Sequence, residues 1–299
     1  MPRLFRHAVL SSVCLFLTVQ VHAAAPKPNV LVIADMEGTM GIADPALLYD
    51  SAAHDVYGRA LLTREVNAAL HGVLQAGAGT ILFSDSHFRG ANVARDLLPA
   101  DLVWLAPHAL EASHPQAEVD EIFARYHPQA LVMLAYHVAS GGHGFLPHTF
   151  VSRDRVRING REVGEVAMLA SLAGSYGVPV VALSGDEGTC EEAQAWGMGA
   201  KCAATKELLP DGRMALQPLD RAEQQVSQAA AAGFAARATI APLTLAGSEM
   251  WEMELRNPMQ PASALPGGVS RAGGRLQWHA STFRAGFRTY FEVLHALGH

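Results

Sequence analysis

Short apolar runs that recur between helical segments are the feature that most constrains the fold of this chain. Four of them are rich in Val, Ile, Leu and Ala and carry no charge: residues 29–34, 80–84, 130–136 and 180–183. Uninterrupted apolar strands suit a sheet that is covered on both faces, because neither side of such a strand tolerates water. Residues 64–76 have apolar side chains at helical spacing and stop at Gly77, a common helix end. The alternation predicts an α/β fold with a largely parallel sheet flanked by helices.

The pattern changes after the third apolar run. Residues 150–158 alternate in polarity and lead into Asn159-Gly160, which is a strong hairpin signal. Residues 163–176 follow as a predicted helix, and Thr189 is a candidate cap for a short helix that ends near residue 196. Strand and helix therefore continue to alternate to about residue 204.

The last third of the chain predicts a smaller unit. Residues 220–236 and 281–297 have helical patterns, residues 239–246 resemble a strand, and residues 257–274 are rich in Pro and Gly. We therefore predict an α/β metal-binding catalytic domain at residues 26–215 and a C-terminal α+β domain at residues 216–299.

The first 25 residues have the pattern of a secretory signal peptide. Arg3 and Arg6 precede an apolar stretch at residues 8–21, and small residues follow at a cleavage position. The alternative is a membrane anchor, but the stretch is shorter than the ~20 residues that a membrane span needs. We expect cleavage, export to the periplasm or medium, and no membrane contact of the mature chain.

The net charge and the cysteine content limit the possible partners and the compartment of the protein. The formal net charge of −6 argues against a nucleic-acid partner, because phosphate binding requires a basic surface. Loss of two of the 22 basic residues with the signal segment would leave 28 acidic residues against 20 basic ones. The two cysteines outside that segment, Cys190 and Cys202, could pair in an oxidising compartment. The sequence does not fix whether they are close enough to do so.

Carboxylates and imidazoles follow the apolar runs at the points where the predicted strands end. Asp35 and Glu37 follow the first run, His87 the second, His137 the third and Asp186 the fourth. Ligands of open α/β sheets bind at this edge, and two carboxylates on one face would repel each other without a cation. Imidazole favours a transition metal. The candidate ligands outnumber the four of a single zinc site, so we predict two metals that share a carboxylate.

Several residues near this edge have more than one interpretation. Asp186 is either part of the site or a turn or cap residue. His143 and His148 lie in a glycine-rich loop and either supply acid–base chemistry or face solvent. Glu165 opens a predicted helix and either interacts with the helix dipole or points back into the site.

The ordered motifs resemble the zinc-dependent D-aminopeptidase family, the dipeptide-operon D-aminopeptidase-like metallopeptidases. The resemblance runs from about residue 29 to residue 187. The motifs that carry it are Asp35-Met36-Glu37-Gly38, Asp85-Ser86-His87 with Asn92, Tyr136-His137, His148-Thr149, and Asn159-Gly160 with Val163-Gly164-Glu165. The resemblance implies two Zn²⁺ ions per subunit. Asp35 would bridge them, with Glu37 and His137 completing one site and His87 and Glu165 the other.

The same resemblance implies an activity and an assembly. The chain would be an exported aminopeptidase that hydrolyses short peptides with an N-terminal D-amino acid of the D-Ala type, through a water activated by two zinc ions. His148 would be the catalytic histidine, whereas His143 has no implied role. The subunits would form a homodecamer of two stacked pentamers. Two alternatives are a two-metal hydrolase of another amide or a phosphate ester, and a non-catalytic periplasmic metal- or ligand-binding protein.

Overall fold

The computed structural model describes residues 26–49, 51–111, 116–245, 248–262 and 264–299. The predicted signal peptide lies outside the described residues. The strands are β1 Val30–Ala34, β2 Ile81–Asp85, β3 Val103–Trp104, β4 Leu131–Tyr136, β5 Arg155–Ile158, β6 Arg161–Glu162, β7 Val180–Asp186, β8 Lys201–Leu208, β9 Met214–Leu216, β10 Glu249–Glu254, β11 Ser270–Ala272 and β12 Arg275–Ala280. The α-helices are α1 Arg59–Gln75, α2 Gln116–Tyr126, α3 Glu165–Gly174, α4 Glu187–Ala195, α5 Leu219–Ala235 and α6 Phe283–Ala296.

The larger sheet confirms the predicted α/β class. Its strand order is β3-β2-β1-β4-β7-β8-β9, and all neighbours are parallel except the last pair. Strand β1 shows why its sequence is apolar throughout. Val30 and Val32 pack into the core beneath α1 and α5, while Leu31 and Ile33 face the core that contains α3 and α6. The chain leaves β1 in one direction towards β2 and returns on its other side as β4, so β1 and β4 flank a topological switch point.

The smaller sheet joins the middle of the chain to its end. Its order is β11-β12-β10-β5-β6 and every pairing is antiparallel. The predicted hairpin is present, with both Asn159 and Gly160 at positive φ. Helix α6 packs on this sheet at Gly286, where a Cβ atom would lie 2.0 Å from Nε1 of Trp251. A division of the chain near residue 215 stays a prediction.

Several local predictions were wrong in the C-terminal third and near α4. Residues 241–245 are irregular rather than a strand, and the strand of this region is β10 instead. Pro242 interrupts the proposed strand because it cannot donate a ladder hydrogen bond. Strand β11 lies in the segment predicted as a loop. Asp186, rather than Thr189, is the N-cap of α4.

A disulfide bond joins Cys190 of α4 to Cys202 of β8, with Cα atoms 5.7 Å apart. The bond fastens a helix to the strand on which it packs. Among the described residues, no helix combines the length and the apolar character that crossing a bilayer requires.

Candidate metal centre and active site

Five side chains converge at the switch point between β1 and β4. They come from the ends of three adjacent strands and from the first turn of α3, and each is at most 6% exposed: Asp35, Glu37, His87, His137 and Glu165. The motif glycine Gly38 lets the chain turn here, since a Cβ atom on it would lie 2.0 Å from the carbonyl oxygen of Tyr136. The convergence follows directly from parallel pairing, which brings the carboxyl ends of the strands to one edge.

The first half of the cluster contains Asp35, Glu37 and His87. Nδ1 of His87 lies 3.1 Å from Oδ1 of Asp35 and 3.1 Å from Oε2 of Glu37. The other ring nitrogen, Nε2, donates to the carbonyl oxygen of Leu48 at 2.9 Å. Nδ1 is therefore the nitrogen that is free to bind a cation, in the manner of metal-binding histidines that donate their second N–H to a carbonyl.

The second half contains Asp35 again, with His137 and Glu165. Nε2 of His137 lies 3.4 Å from Oδ2 of Asp35 and 3.1 Å from Oε1 of Glu165. Nδ1 of His137 donates to the carbonyl oxygen of Val138 at 3.0 Å. A β-bulge that includes Ala135, at a φ of 58°, precedes Tyr136 and His137. Bulges of this kind redirect side chains next to functional sites.

The unpaired atoms of the cluster mark where cations fit. Oδ2 of Asp35, Oε2 of Glu37 and Nε2 of His137 are buried and have no hydrogen-bond partner. Candidate ligand atoms within 4.8 Å of one another form the groups Asp35–Glu37–His87 and Asp35–His137–Glu165, and a third group joins Glu37 and His137 to His148. Two of the groups share Asp35, and they place Glu37 beside His87 and His137 beside Glu165. The third group places Glu37 beside His137, so the expected division of the ligands between two ions stays a prediction.

The electrostatics of the cluster also call for positive charge. Burial and the neighbouring Glu37 raise the pKa of Asp35 to about 8. Burial opposes ionisation of Glu37, but His87 and the other imidazoles hold the pKa of Glu37 below its usual value. Burial opposes a charge on His137, yet Glu165 raises the pKa of His137 well above normal. Three carboxylates in so little space repel one another, and without a cation Asp35 would carry a proton near neutral pH.

His148 lies beside the cluster, and its ring faces a cavity. The ring stacks on that of His137 with centroids 3.8 Å apart, and its Nε2 lies 3.9 Å from Oε1 of Glu37. Nδ1 donates to the carbonyl oxygen of Leu146 at 2.8 Å. Burial and the charge of His137 lower the pKa of His148. Of the two loop histidines, only this one reaches the site, because His143 is exposed and its Nε2 lies 3.3 Å from the carbonyl oxygen of Leu208.

Two residues with open interpretations now have definite positions. The Asp186 carboxylate accepts from the amide of Thr189 at 2.8 Å and from that of Phe145 at 2.6 Å. Asp186 is therefore a helix cap that also fixes the glycine-rich loop. Glu165 points back into the site, where its Oε1 also accepts from the amide of Phe150 at 2.5 Å.

Two side chains support the site: Lys206 was missed from the sequence, and Asn92 was named there only as part of the motif that follows β2. Lys206 of β8 is buried and donates to the backbone carbonyls of Glu37, Thr39 and Ile42. The Asn92 side chain donates to Oδ1 of Asp85 at 2.8 Å and to the carbonyl oxygen of His87 at 2.7 Å, which orders the loop after β2. A lone Lys has no sequence signal for such a role, because the carbonyl groups to which Lys206 donates are distant in sequence.

Comparisons with known proteins agree with this arrangement. The sequence model of the D-aminopeptidase family matches residues 29–291. The D-aminopeptidase of Bacillus subtilis (strain 168) is 24% identical over 242 residues, which cover 80% of this chain and 86% of that protein. The solved structure of the zinc-dependent D-aminopeptidase DppA from Bacillus subtilis, described as a self-compartmentalizing protease, matches with a TM-score of 0.78 at 19% identity, and the match covers 90% of this chain and 98% of that chain. The structural match shows a shared fold.

Proposed function

Since this chain belongs to the D-aminopeptidase family and is a metallo-aminopeptidase of the hydrolase class, we propose that it removes N-terminal D-amino acids of the D-Ala type from short peptides with two zinc ions per subunit. The single observation that carries the proposal is the convergence of Asp35, Glu37 and His137 atoms that are buried without hydrogen-bond partners. Burying such atoms costs free energy unless a ligand satisfies them.

The donor set suits zinc. Asp35 offers one oxygen to each half of the cluster, and Glu37, His87, His137 and Glu165 would complete the coordination of the two ions. Imidazole and carboxylate are common zinc ligands, and both histidines already donate their second N–H to backbone carbonyls. Bound zinc would supply Lewis-acid chemistry that polarises a peptide carbonyl and makes water acidic enough to ionise near neutral pH.

His148 is suited to moving a proton in this site. The hydrogen bond from its Nδ1 to Leu146 fixes the tautomer in which Nε2 is the acceptor. Stacking on His137 holds the ring next to the cluster. Nε2 takes a proton from the attacking water and returns it to the amine that leaves when the peptide bond breaks. The free amino group of the substrate would bind one of the zinc ions or a nearby carboxylate, which favours cleavage after the first residue.

Export and assembly complete the proposal. The signal-peptide pattern of the first 25 residues and the disulfide between Cys190 and Cys202 both favour an oxidising compartment such as the periplasm. We also propose a closed homo-oligomer, a decamer of two stacked pentamers. Its support is the description of the Bacillus subtilis structure as self-compartmentalizing and the exposure of Val56 and Tyr57, large apolar side chains that an interface would cover.

Elemental analysis and a peptide assay on the purified protein test this proposal. We expect two zinc ions per chain and hydrolysis of D-Ala-D-Ala, with little hydrolysis of L-Ala-L-Ala or of a phosphodiester. His148→Ala should lower kcat roughly 10²- to 10⁴-fold without loss of zinc. His143→Ala is the matched control from the same loop and should keep activity within about twofold of the wild type.

Each other outcome has a clear meaning. Near-normal turnover by His148→Ala would remove the role assigned to that residue. Preferred hydrolysis of the phosphodiester would favour a different two-metal hydrolase. Zinc retention without hydrolysis of any peptide would favour a binding protein.

A further inference from the structure

The cavity beside the metal cluster is large enough to hold a peptide. It has a volume of about 1250 Å³ and is lined by Glu37, His87 and His148 of the site and by residues of α6. An aminopeptidase places the N-terminal residue and the scissile bond of its substrate at the metal cluster. The C-terminal carboxylate of a short peptide then lies in the adjoining part of the cavity and needs a partner there.

The segment from Thr149 to Asp154 forms a rigid part of the cavity wall. Its backbone closes on itself, since Thr149 and Ser152 exchange N–H···O bonds of 2.8 and 3.1 Å. The Ser152 hydroxyl donates to Oδ2 of Asp154 at 2.8 Å, and both side chains are buried. The alternate side chains, Val151 and Arg153, are exposed and line the cavity. The segment therefore presents Arg153 from a fixed backbone.

Arg153 has a free guanidinium group. Among the described residues it has no hydrogen bond or ion pair, whereas Arg155 and Arg157 on the following strand both pair with Glu162. The segment that carries it is attached to the cluster, because the amide of Phe150 donates to Oε1 of Glu165 at 2.5 Å. Arg153 follows Phe150 by three residues in the same segment and lines the cavity together with His87. Arg153 therefore belongs to the part of the cavity wall next to the metal cluster.

A second arginine in the cavity wall is placed differently. Arg288 lies on α6 and its charge acts on Asp120 of α2. In a dipeptide the terminal carboxylate lies one residue beyond the scissile bond, which is about 3.6 Å of extended backbone at most. Arg153 belongs to the segment that is bonded to Glu165 of the cluster, whereas Arg288 lies on α6, so Arg153 is the arginine suited to a dipeptide.

We propose that Arg153 binds the C-terminal carboxylate of the substrate and makes this enzyme selective for dipeptides with a free carboxyl end. The planar guanidinium matches a carboxylate with two parallel hydrogen bonds. Val151 beside it offers an apolar contact to a small second side chain. This inference rests on the proposed aminopeptidase function and specifies its substrate class.

Kinetics with D-Ala-D-Ala and its C-terminal amide test the inference, because the two substrates differ only at the carboxylate. We expect the wild type to favour the free acid in kcat/KM by roughly 10- to 100-fold. Arg153→Ala should lose this preference through a higher KM for the acid, with the amide unaffected. Arg153→Lys should keep part of it. Arg221→Ala, an exposed change on α5 outside the cavity, is the control for net charge.

A binding measurement separates failure of the inference from failure of the function. Calorimetry of both dipeptides on zinc-loaded His148→Ala protein, with and without Arg153→Ala, reports carboxylate recognition without turnover. Equal losses for acid and amide, or no acid preference in the wild type, would overturn the inference. If the wild type hydrolyses neither dipeptide, the proposed function fails, and the calorimetric preference for the acid still decides the role of Arg153.

Discussion

Replacing Lys206 by Met should loosen the loop that carries Glu37. The Lys206 ammonium group is buried, donates to the Glu37 carbonyl oxygen, and lies 3.2 and 2.7 Å from the carbonyl oxygens of Thr39 and Ile42. It also lies 4.5 Å from the centre of the Phe145 ring. Methionine fills a similar volume but leaves the carbonyl groups of Glu37 and Ile42 without a donor, whereas the Thr39 carbonyl still accepts from the amide of Ile42 at 3.2 Å.

The magnitude follows from two opposing contributions. Two buried carbonyl groups that lose their donor cost about 1–3 kcal/mol each, or roughly 4 kcal/mol together. Burial lowers the pKa of Lys206 to about 8, against the opposing charges of Asp186 and Glu65, so removing the buried charge returns about 3 kcal/mol. We therefore expect Lys206→Met to lower the free energy of unfolding by about 1 kcal/mol. Displacement of Glu37 should also weaken zinc binding at least ~10-fold.

Urea denaturation and competition with a zinc chelator measure the two effects. Lys201→Met is the matched control, because Lys201 is exposed at the start of the same strand, and it should change stability by less than about 0.5 kcal/mol. A Lys206→Met protein with the stability and zinc affinity of the wild type would refute the assignment of Lys206 as a brace for the metal loop.

Three further perturbations have predicted outcomes. Removal of zinc by a chelator should lower the melting temperature, and added zinc should restore it. Zinc at ~1,000 times its Kd adds about 4 kcal/mol to the free energy of unfolding, so an unchanged melting temperature would contradict the metal centre. Gly286→Ala should destabilise the protein by at least ~2 kcal/mol, since the added methyl group meets Trp251, and normal stability would show that α6 docks differently. The double variant Cys190→Ser with Cys202→Ser lacks the disulfide, and its free energy of unfolding should be lower by roughly 3 kcal/mol. Urea denaturation under oxidising conditions measures this difference, and equal stability of the oxidised wild type and the double variant would contradict the prediction.

The parts of the fold that depend on local sequence were predictable. Strand β1 is apolar on both faces because each face packs into a separate core, and that burial is visible as an uninterrupted run. The position of Asp35, His87 and His137 follows from the same runs, since parallel strands deliver the residues after them to one edge. This geometry brings together Asp35, Glu37, His87 and His137, and Glu165 joins them from the first turn of α3.

Features that depend on long-range contacts were not predictable. The pairing of His137 with Glu165 needed the orientation of α3, and the cysteine pair needed the separation of α4 and β8. Strand β10 was placed several residues too early because the apolar residues around Pro242 resemble a strand. Both Asp186 and Thr189 have side chains that commonly cap helices. The hydrogen bond that Asp186 accepts from the amide of Phe145 is distant in sequence, and it favours Asp186 at this position.

The wall segment Thr149–Asp154 is fastened by parts of the chain that are synthesised last. The amide of Arg256 donates to Oδ1 of Asp154 at 2.7 Å, and the Tyr290 hydroxyl donates to the carbonyl oxygen of Thr149 at 3.2 Å. The acidic cluster is complete in sequence once Glu165 has been made, long before either anchor exists. Contacts of such long range form slowly. A growing chain can therefore assemble its cation-binding edge before the wall beside His148 is in place, and its catalytic competence depends on the final helix.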